Sequence, residues 1–121
     1  MSVLINAHLN AQKRLEEKEK DILSHPAWHG SLSGIECENV LRGKIPGTYL
    51  LRVGEKSFQY YLSFVIENPF SFKHQPFLII GEESNFSWGY RNGVTRWCSS
   101  LDDLISFAMH CKIEDCFPLL K

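Results

Sequence analysis

Three runs of strand-forming residues follow one another between residues 48 and 80, separated by only a few turn residues, and this spacing constrains the fold more than any other feature. Thr48 to Val53, Phe58 to Ile66 and Phe70 to Ile80 are rich in the aromatic and β-branched side chains that suit a pleated, half-buried surface. Gly54-Glu55-Lys56-Ser57 and Glu67-Asn68-Pro69 carry turn chemistry between them. Connections this short cannot cross from one end of a sheet to the other, so successive strands are expected to pair antiparallel. Pro76 has no N–H to give to a ladder and marks part of the third run as an edge or a bulge. A weaker hairpin is expected around Asn92-Gly93.

Helical patterns flank these runs. Ser33 and Glu36 have the spacing of a capping box, and Leu32 can staple onto Cys37 across the first turn. Cys37, Val40 and Leu41 are expected to face inward, and Gly43 ends the helix. A later helix opens at Ser99 or Ser100, with Asp102 and Asp103 offsetting the dipole, and buries Leu101, Leu104, Ile105, Ala108 and Met109. Before His25-Pro26 the composition shifts to helix formers, with Leu4, Ala11, Leu15 and Ile22 forming a thin apolar stripe and pairs such as Glu16 with Lys20 on the solvent side. Residues 1–24 therefore read as a helical arm resting one edge on a domain that spans 25–121. The order of elements gives an α+β class: a central antiparallel sheet flanked by two helices, with an extra N-terminal helix.

Charge and cysteine usage narrow the partners. Thirteen basic and fourteen acidic side chains leave a net charge of -1, so no whole-chain field draws the protein to nucleic acid or an anionic membrane, and any anion site must be local. The longest apolar run, Phe77 to Ile80, is far short of the ~20 residues that span a bilayer, and the first residues lack a secretory pattern. A cytoplasmic location is expected. Cys37, Cys98, Cys111 and Cys116 form no Cys-x-x-Cys pair and imply no disulfide framework in a reducing compartment.

One residue stands out inside the strand runs. Arg52 is the only charge in Tyr49-Leu50-Leu51-Arg52-Val53, and an arginine on a buried strand needs a partner. An internal carboxylate would serve, but no Asp or Glu occurs in the neighbouring strand runs; a phosphate gripped by both arms of the planar guanidinium is the favoured partner. In the turn that follows, Gly54 permits a positive φ, and the amides of Glu55, Lys56 and Ser57 can line an anion-binding concavity. An enzyme is disfavoured: His110, Cys111 and Cys116 lie beside Glu114 and Asp115 at the frayed end of a helix, unlike an activated thiol, and their spacing is not that of a zinc site.

Trp28-His29-Gly30-Ser31-Leu32-Ser33, Glu38-Asn39-Val40-Leu41 and Gly47-Thr48-Tyr49-Leu50-Leu51-Arg52, in that order and spacing, resemble the Src homology 2 domain family, with coverage from about residue 25 to 121. Tyr60 to Phe64, Lys73-His74 and Ser100 to Ile105 continue the resemblance. It implies a free-standing module that binds tyrosine-phosphorylated peptides or proteins, as an adaptor or as an effector that intercepts phosphotyrosine signals in a host cytoplasm. It further implies a monomer without cofactor or metal. The implied phosphotyrosine contacts are Arg52, Gly54, Glu55, Lys56, Ser57 and His74, with Gln75 and Phe77 on the peptide surface. Against the family pattern, Gly34 stands at a usual arginine, Gly54 at a usual serine and Pro76 at a common lysine, while Gln75 replaces an aromatic. Lys56, Ser57 and Lys44 are the candidates to compensate. The alternative is the same fold used as a phosphate-independent interaction scaffold.

Overall fold

The computed structural model describes residues 2–67, 71–82, 87–92 and 96–121, and within them all side chains except those of 2–11, 82, 87, 88 and 96. In chain order the elements are α1 (Ser2–Leu23), α2 (Gly34–Leu41), β1 (Thr48–Val53), β2 (Gln59–Val65), β3 (Phe72–Glu82), β4 (Ser87–Asn92), β5 (Arg96–Cys98), α3 (Leu101–Met109), a 3-10 turn (Ile113–Asp115) and β6 (Phe117–Pro118). The strands form one sheet in the order β5-β4-β3-β2-β1-β6. Consecutive strands β1 to β5 pair antiparallel, as the short turns require. β6 returns from the end of the chain and adds to β1 in parallel, which makes the sheet mixed.

Period-two alternation divides the side chains of β1 to β3 between two layers. Tyr49, Leu51, Tyr60, Leu62, Phe77 and Ile79 enter the larger core, together with Ile22 of α1 and Leu104 and Ile105 of α3. Leu50 and Val65 point the other way, to Cys37 and Leu41 of α2. The two helices expected to flank the sheet do so, and α1 joins α3 on its side. Leu15 and Ile22 carry that docking, and two buried phenols fix it: the Tyr60 hydroxyl donates to Glu19 Oε2 at 2.5 Å, and the Tyr90 hydroxyl lies 2.9 Å from Asp21 Oδ2. Burial, and then the carboxylate beside each, push both phenol pKa values upward, so both groups stay protonated donors.

The capping box forms as expected, with Glu36 N–H donating to Ser33 Oγ and Ser33 N–H to Glu36 Oε1, both at 3.1 Å. Ser100 caps α3 with a single bond, its Oγ accepting from Asp103 N–H at 3.1 Å. Val40 is a correction: it is 40% exposed, because the inward arc of this two-turn helix is filled by Cys37 and Leu41, four residues apart. The third strand starts at Phe72 and runs on to Glu82. Pro76 has the edge position expected of it. β4 pairs with β3 only from Leu78 to Glu82, and Ile79 N–H donates to Phe58 O. Odd-numbered positions therefore face β2, and Pro76 faces the side where the described residues supply no partner and no N–H is needed. Parts of the Glu67-Asn68-Pro69 turn and the Asn92-Gly93 hairpin, and the side chains of Leu4 and Ala11, lie outside the described residues. Among the described residues no helix is long and apolar enough to cross a membrane.

Candidate functional site

Strand alternation puts Arg52 on the α2 face, and register brings three more residues to it. Arg52 lies opposite Tyr61 on β2, and Ser63, two residues along on the same face, lies opposite His74 on β3. Arg52 is 7% exposed. Its Nε donates to Ser63 Oγ at 3.1 Å, Nη1 to Leu32 O at 3.2 Å, and Nη2 meets His74 Nδ1 at 3.2 Å. The guanidinium also stands 4.3 Å from the centre of the Tyr61 ring, within cation–π range. A guanidinium has five N–H donors. Three are engaged here, which leaves one on each terminal nitrogen: the fork that a phosphate or carboxylate accepts bidentately.

The same geometry fixes the state of His74. Its Nδ1 faces Arg52, which can only donate, and lies 2.8 Å from Ser63 Oγ. Nδ1 is therefore the acceptor, and the ring proton sits on Nε2, 2.8 Å from Glu38 Oε2. One ordered chain results: Arg52 Nε–H to Ser63, Ser63 O–H to His74 Nδ1, and His74 Nε2–H to Glu38. His74 thus positions the arginine and spends its own donor on a carboxylate. The buried Cys37 thiol lies against Ser63 and Arg52, and desolvation holds its pKa above the ordinary thiol value.

The β1–β2 turn departs from the expected cradle. Gly54 has no positive φ; that conformation falls on Phe58, at φ 58. Glycine is required at 54 for a different reason, since a Cβ there would stand 2.4 Å from Gln59 O, inside the hairpin closed by Gly54 N–H on that carbonyl. The Lys56 amide is taken by Gln59 Oε1 at 3.1 Å. The Glu55 carboxylate folds back to accept from the Tyr61 hydroxyl at 3.3 Å, which puts a negative charge beside the ring that faces Arg52. Glu55, Lys56 and Ser57 are all exposed. Lys44 follows the far end of α2, away from Leu32 and Arg52.

The two residues expected on the peptide surface separate. Gln75 is half-buried beside the open edge of β3, where its Nε2 donates to Pro76 O at 3.1 Å. Phe77 is a correction. Three residues from His74, it falls on the opposite face, 1% exposed and packed between the rings of Tyr60 and Tyr90. Glu38, Tyr61 and Ser63 complete the site and were not among its expected members. Ser63 had a signal, a small polar residue in the otherwise apolar and aromatic run Tyr60 to Val65. Glu38 had none in the strands, because it arrives from α2. A cavity of about 590 Å³ lies elsewhere, between the end of α3 and the ends of β1 to β3. The Arg52 site is identified by its donors and charges instead.

Comparison with known proteins bears on the chain as a whole. A family model described as SH2 domain matches residues 28–107, a stretch that contains Arg52, the turn after it, and His74. The solution structure of the SH2 domain of a CRK/CRKL homologue from Monosiga brevicollis is 31% identical, with a TM-score of 0.56, over 80% of this chain and 88% of that one. No curated protein matches. α1, the 3-10 turn and β6 lie outside the segment matched by the family model.

Proposed function

The chain belongs to the SH2 domain family, and on that premise we propose that it binds tyrosine-phosphorylated proteins through Arg52, acting as an adaptor or as an effector that intercepts phosphotyrosine signals. The observation that carries this reading is the pair of uncommitted N–H donors on a guanidinium that is nearly buried and held from three sides. A phosphate carried on a phenyl ring is the ligand proposed for this fork, its oxygens taking the two free donors. Around the fork, Glu38 and Glu55 contribute negative charge, and Gly34, Gly54 and Pro76 contribute no side-chain donor. Affinity for phosphate rests on Arg52 more than on any surrounding group, with Lys56 and Ser57 as exposed donors in the turn that follows its strand.

A second reading has an observation of its own. The chain from Arg52 through His74 to Glu38 satisfies much of the buried cation from within, as a phosphate-independent scaffold would. Titration of the full chain with matched phosphotyrosine, phosphoserine and unphosphorylated peptides separates the two. Binding of the phosphotyrosine peptide alone supports the proposal; equal affinity for phosphorylated and unphosphorylated peptides supports the scaffold. The proposed module works as a cytoplasmic monomer without cofactor or catalysis. His110 makes its ring contact with Phe107, and the Cys116 thiol lies against Cys111 and Lys112 O.

A further inference from the structure

Cys111 and Cys116 bracket the 3-10 turn between α3 and β6, and their sulfurs lie 2.9 Å apart. A disulfide bond is about 2.05 Å long, so less than about 1 Å of approach separates this thiol pair from a covalent one. The two thiols are unlike. Cys111 is partly exposed and lines the 590 Å³ cavity beside Met109, His110 and Asp115. Cys116 is 5% exposed, within reach of Lys112 O at 3.3 Å. Burial, followed by the contact with Cys111 and the charges of Asp115 and Glu114, pushes its thiol up to about 12. One sulfur is thus open to a reagent, and the other is held in reserve against it.

We propose that Cys111 and Cys116 are a modification site, closed to an intrachain disulfide by low-molecular-weight disulfides such as glutathione disulfide. The Cys111 thiolate attacks one sulfur of the reagent, forms a mixed disulfide and releases one glutathione thiolate. Cys116 then loses its proton and attacks Cys111 Sγ, expelling the second glutathione thiolate. Two protein thiols are oxidised, one reagent disulfide is reduced, and the two protons end on the released thiols. A substituted Cys111 no longer hydrogen-bonds or charges its neighbour, so two of the influences that hold the Cys116 proton disappear at the step that needs its thiolate.

The consequence lies in the tail that Cys116 begins. β6 pairs with β1 over only two residues, backed by Leu119 N–H on Tyr49 O at 2.8 Å and a 2.7 Å contact from His29 Nε2 to Leu119 O. Leu119 packs against the layer of Cys37, Leu41, Leu50 and Val65, which lies beside Arg52 on the same face. A disulfide at the root of β6 ties this tail to α3 and limits its fraying.

The experiment uses the full chain, incubated with glutathione disulfide, alkylated and mapped by peptide mass, with hydrogen exchange read at Leu119. The expected map shows Cys111 joined to Cys116, with Cys37 and Cys98 alkylated after unfolding. The closed form is expected to resist denaturant better, the folded-to-unfolded ratio rising roughly thirty-fold for a loop this short. Its Leu119 amide should exchange more slowly. Cys111→Ser should abolish the linkage, and comparing oxidised with reduced wild type needs no variant. A mixed disulfide at Cys111 that persists, pairing with Cys37 or Cys98, or closure without added stability or protection would each overturn the proposal.

Discussion

On the side of the sheet covered by α1 and α3, the strands present Tyr49, Leu51, Tyr60, Leu62 and Phe77 to one continuous core; on the side covered by α2, the same strands present Leu50, Arg52, Tyr61, Ser63 and His74. The first side has two helices and an aromatic row running from Trp28 through Tyr60 and Phe77 to Tyr90. The second has one short helix over a small apolar layer, and the rest of that face is a polar chain. Stability is thus concentrated on one face, which lets the other hold a buried cation that contributes little to folding. Burying an arginine costs several kcal/mol unless hydrogen bonds offset it, and only a sheet secured from behind tolerates that cost.

A crossed pair of substitutions tests this division with the largest expected effects. Arg52→Ala should cut phosphotyrosine affinity by about 10²–10⁴, or about 3–5 kcal/mol, and lower stability by no more than about 1–2 kcal/mol. Arg52→Lys should bind almost as badly, since it keeps the charge but loses the fork. Phe77→Ala should do the reverse, costing about 3–5 kcal/mol of stability while the folded fraction binds within about threefold of wild type. Denaturant titration and calorimetry on the same samples provide both numbers. Binding lost through Phe77, or folding lost through Arg52, would show that the faces are not separable.

How much of this division was legible in the sequence follows the same line. The strand runs, the capping box of α2 and the antiparallel order were readable because each rests on local chemistry: alternation, Ser33 with Glu36, short turns. Arg52 was readable because one charge interrupts an apolar run. What surrounds Arg52 depends on register, which sequence spacing leaves open by one residue, and a slip of one residue exchanges the faces. That is why Ser63 and Tyr61 were not expected at the site; Phe77 was put on the peptide surface by the family resemblance, whereas alternation along the strand from His74 turns it to the core face. Glu38 and the parallel β6 depend on long-range return of the chain, for which the sequence carries no local signal.

Within the functional face, the next effect in size belongs to the β1–β2 turn. Lys56 and Ser57 are exposed in the turn that follows the Arg52 strand and are proposed to add donors to the phosphate, opposing Glu55. Replacing both with Ala should weaken binding by about tenfold, the value of one charge-assisted hydrogen bond of about 1.5 kcal/mol. Titration at two salt concentrations checks the origin, because the loss should shrink as salt rises. Unchanged binding in the double variant would leave Arg52 as the sole phosphate anchor.

Smaller still is the expected influence of residues that follow phosphotyrosine. The open half of β3 offers Gln75, whose amide is already engaged with Pro76 O, and Phe77 points away into the core. Among the described residues of this edge, few groups remain to distinguish one side chain from another, and specificity needs such differences. Changing any one of the first few residues after phosphotyrosine should therefore shift affinity by less than about tenfold, worth about 1.4 kcal/mol. A peptide array is the measurement, and a single downstream position worth a hundredfold would place a further pocket on this edge.

The smallest effect separates the faces by pH. His25 belongs to the structural face, where its ring meets Tyr49 and its Nδ1 accepts from the Ala27 amide at 3.0 Å. Burial lowers its pKa from the ordinary 6.5, and the charge of Asp102 on α3 offsets only part of that. A histidine whose folded pKa lies below its unfolded value contributes its full share of stability above the unfolded pKa. That share is lost as pH falls through the folded pKa, because the unfolded chain takes up the proton more readily. The direction is also local: protonation at Nδ1 removes the acceptor for Ala27, whose carbonyl in turn accepts from Leu51 N–H. Stability should therefore decline as pH drops below about 6.5, and His25→Gln, which cannot titrate, should flatten that decline. Phosphotyrosine binding weakens over a similar range for a separate reason, since the phosphate itself takes up a proton near pH ~6. That loss belongs to the ligand and should persist unchanged in His25→Gln. Stability curves from pH 5 to 8, paired with binding curves on the same protein, decide the matter: a variant that flattens both would place His25 in the binding chemistry and remove the boundary between the two faces.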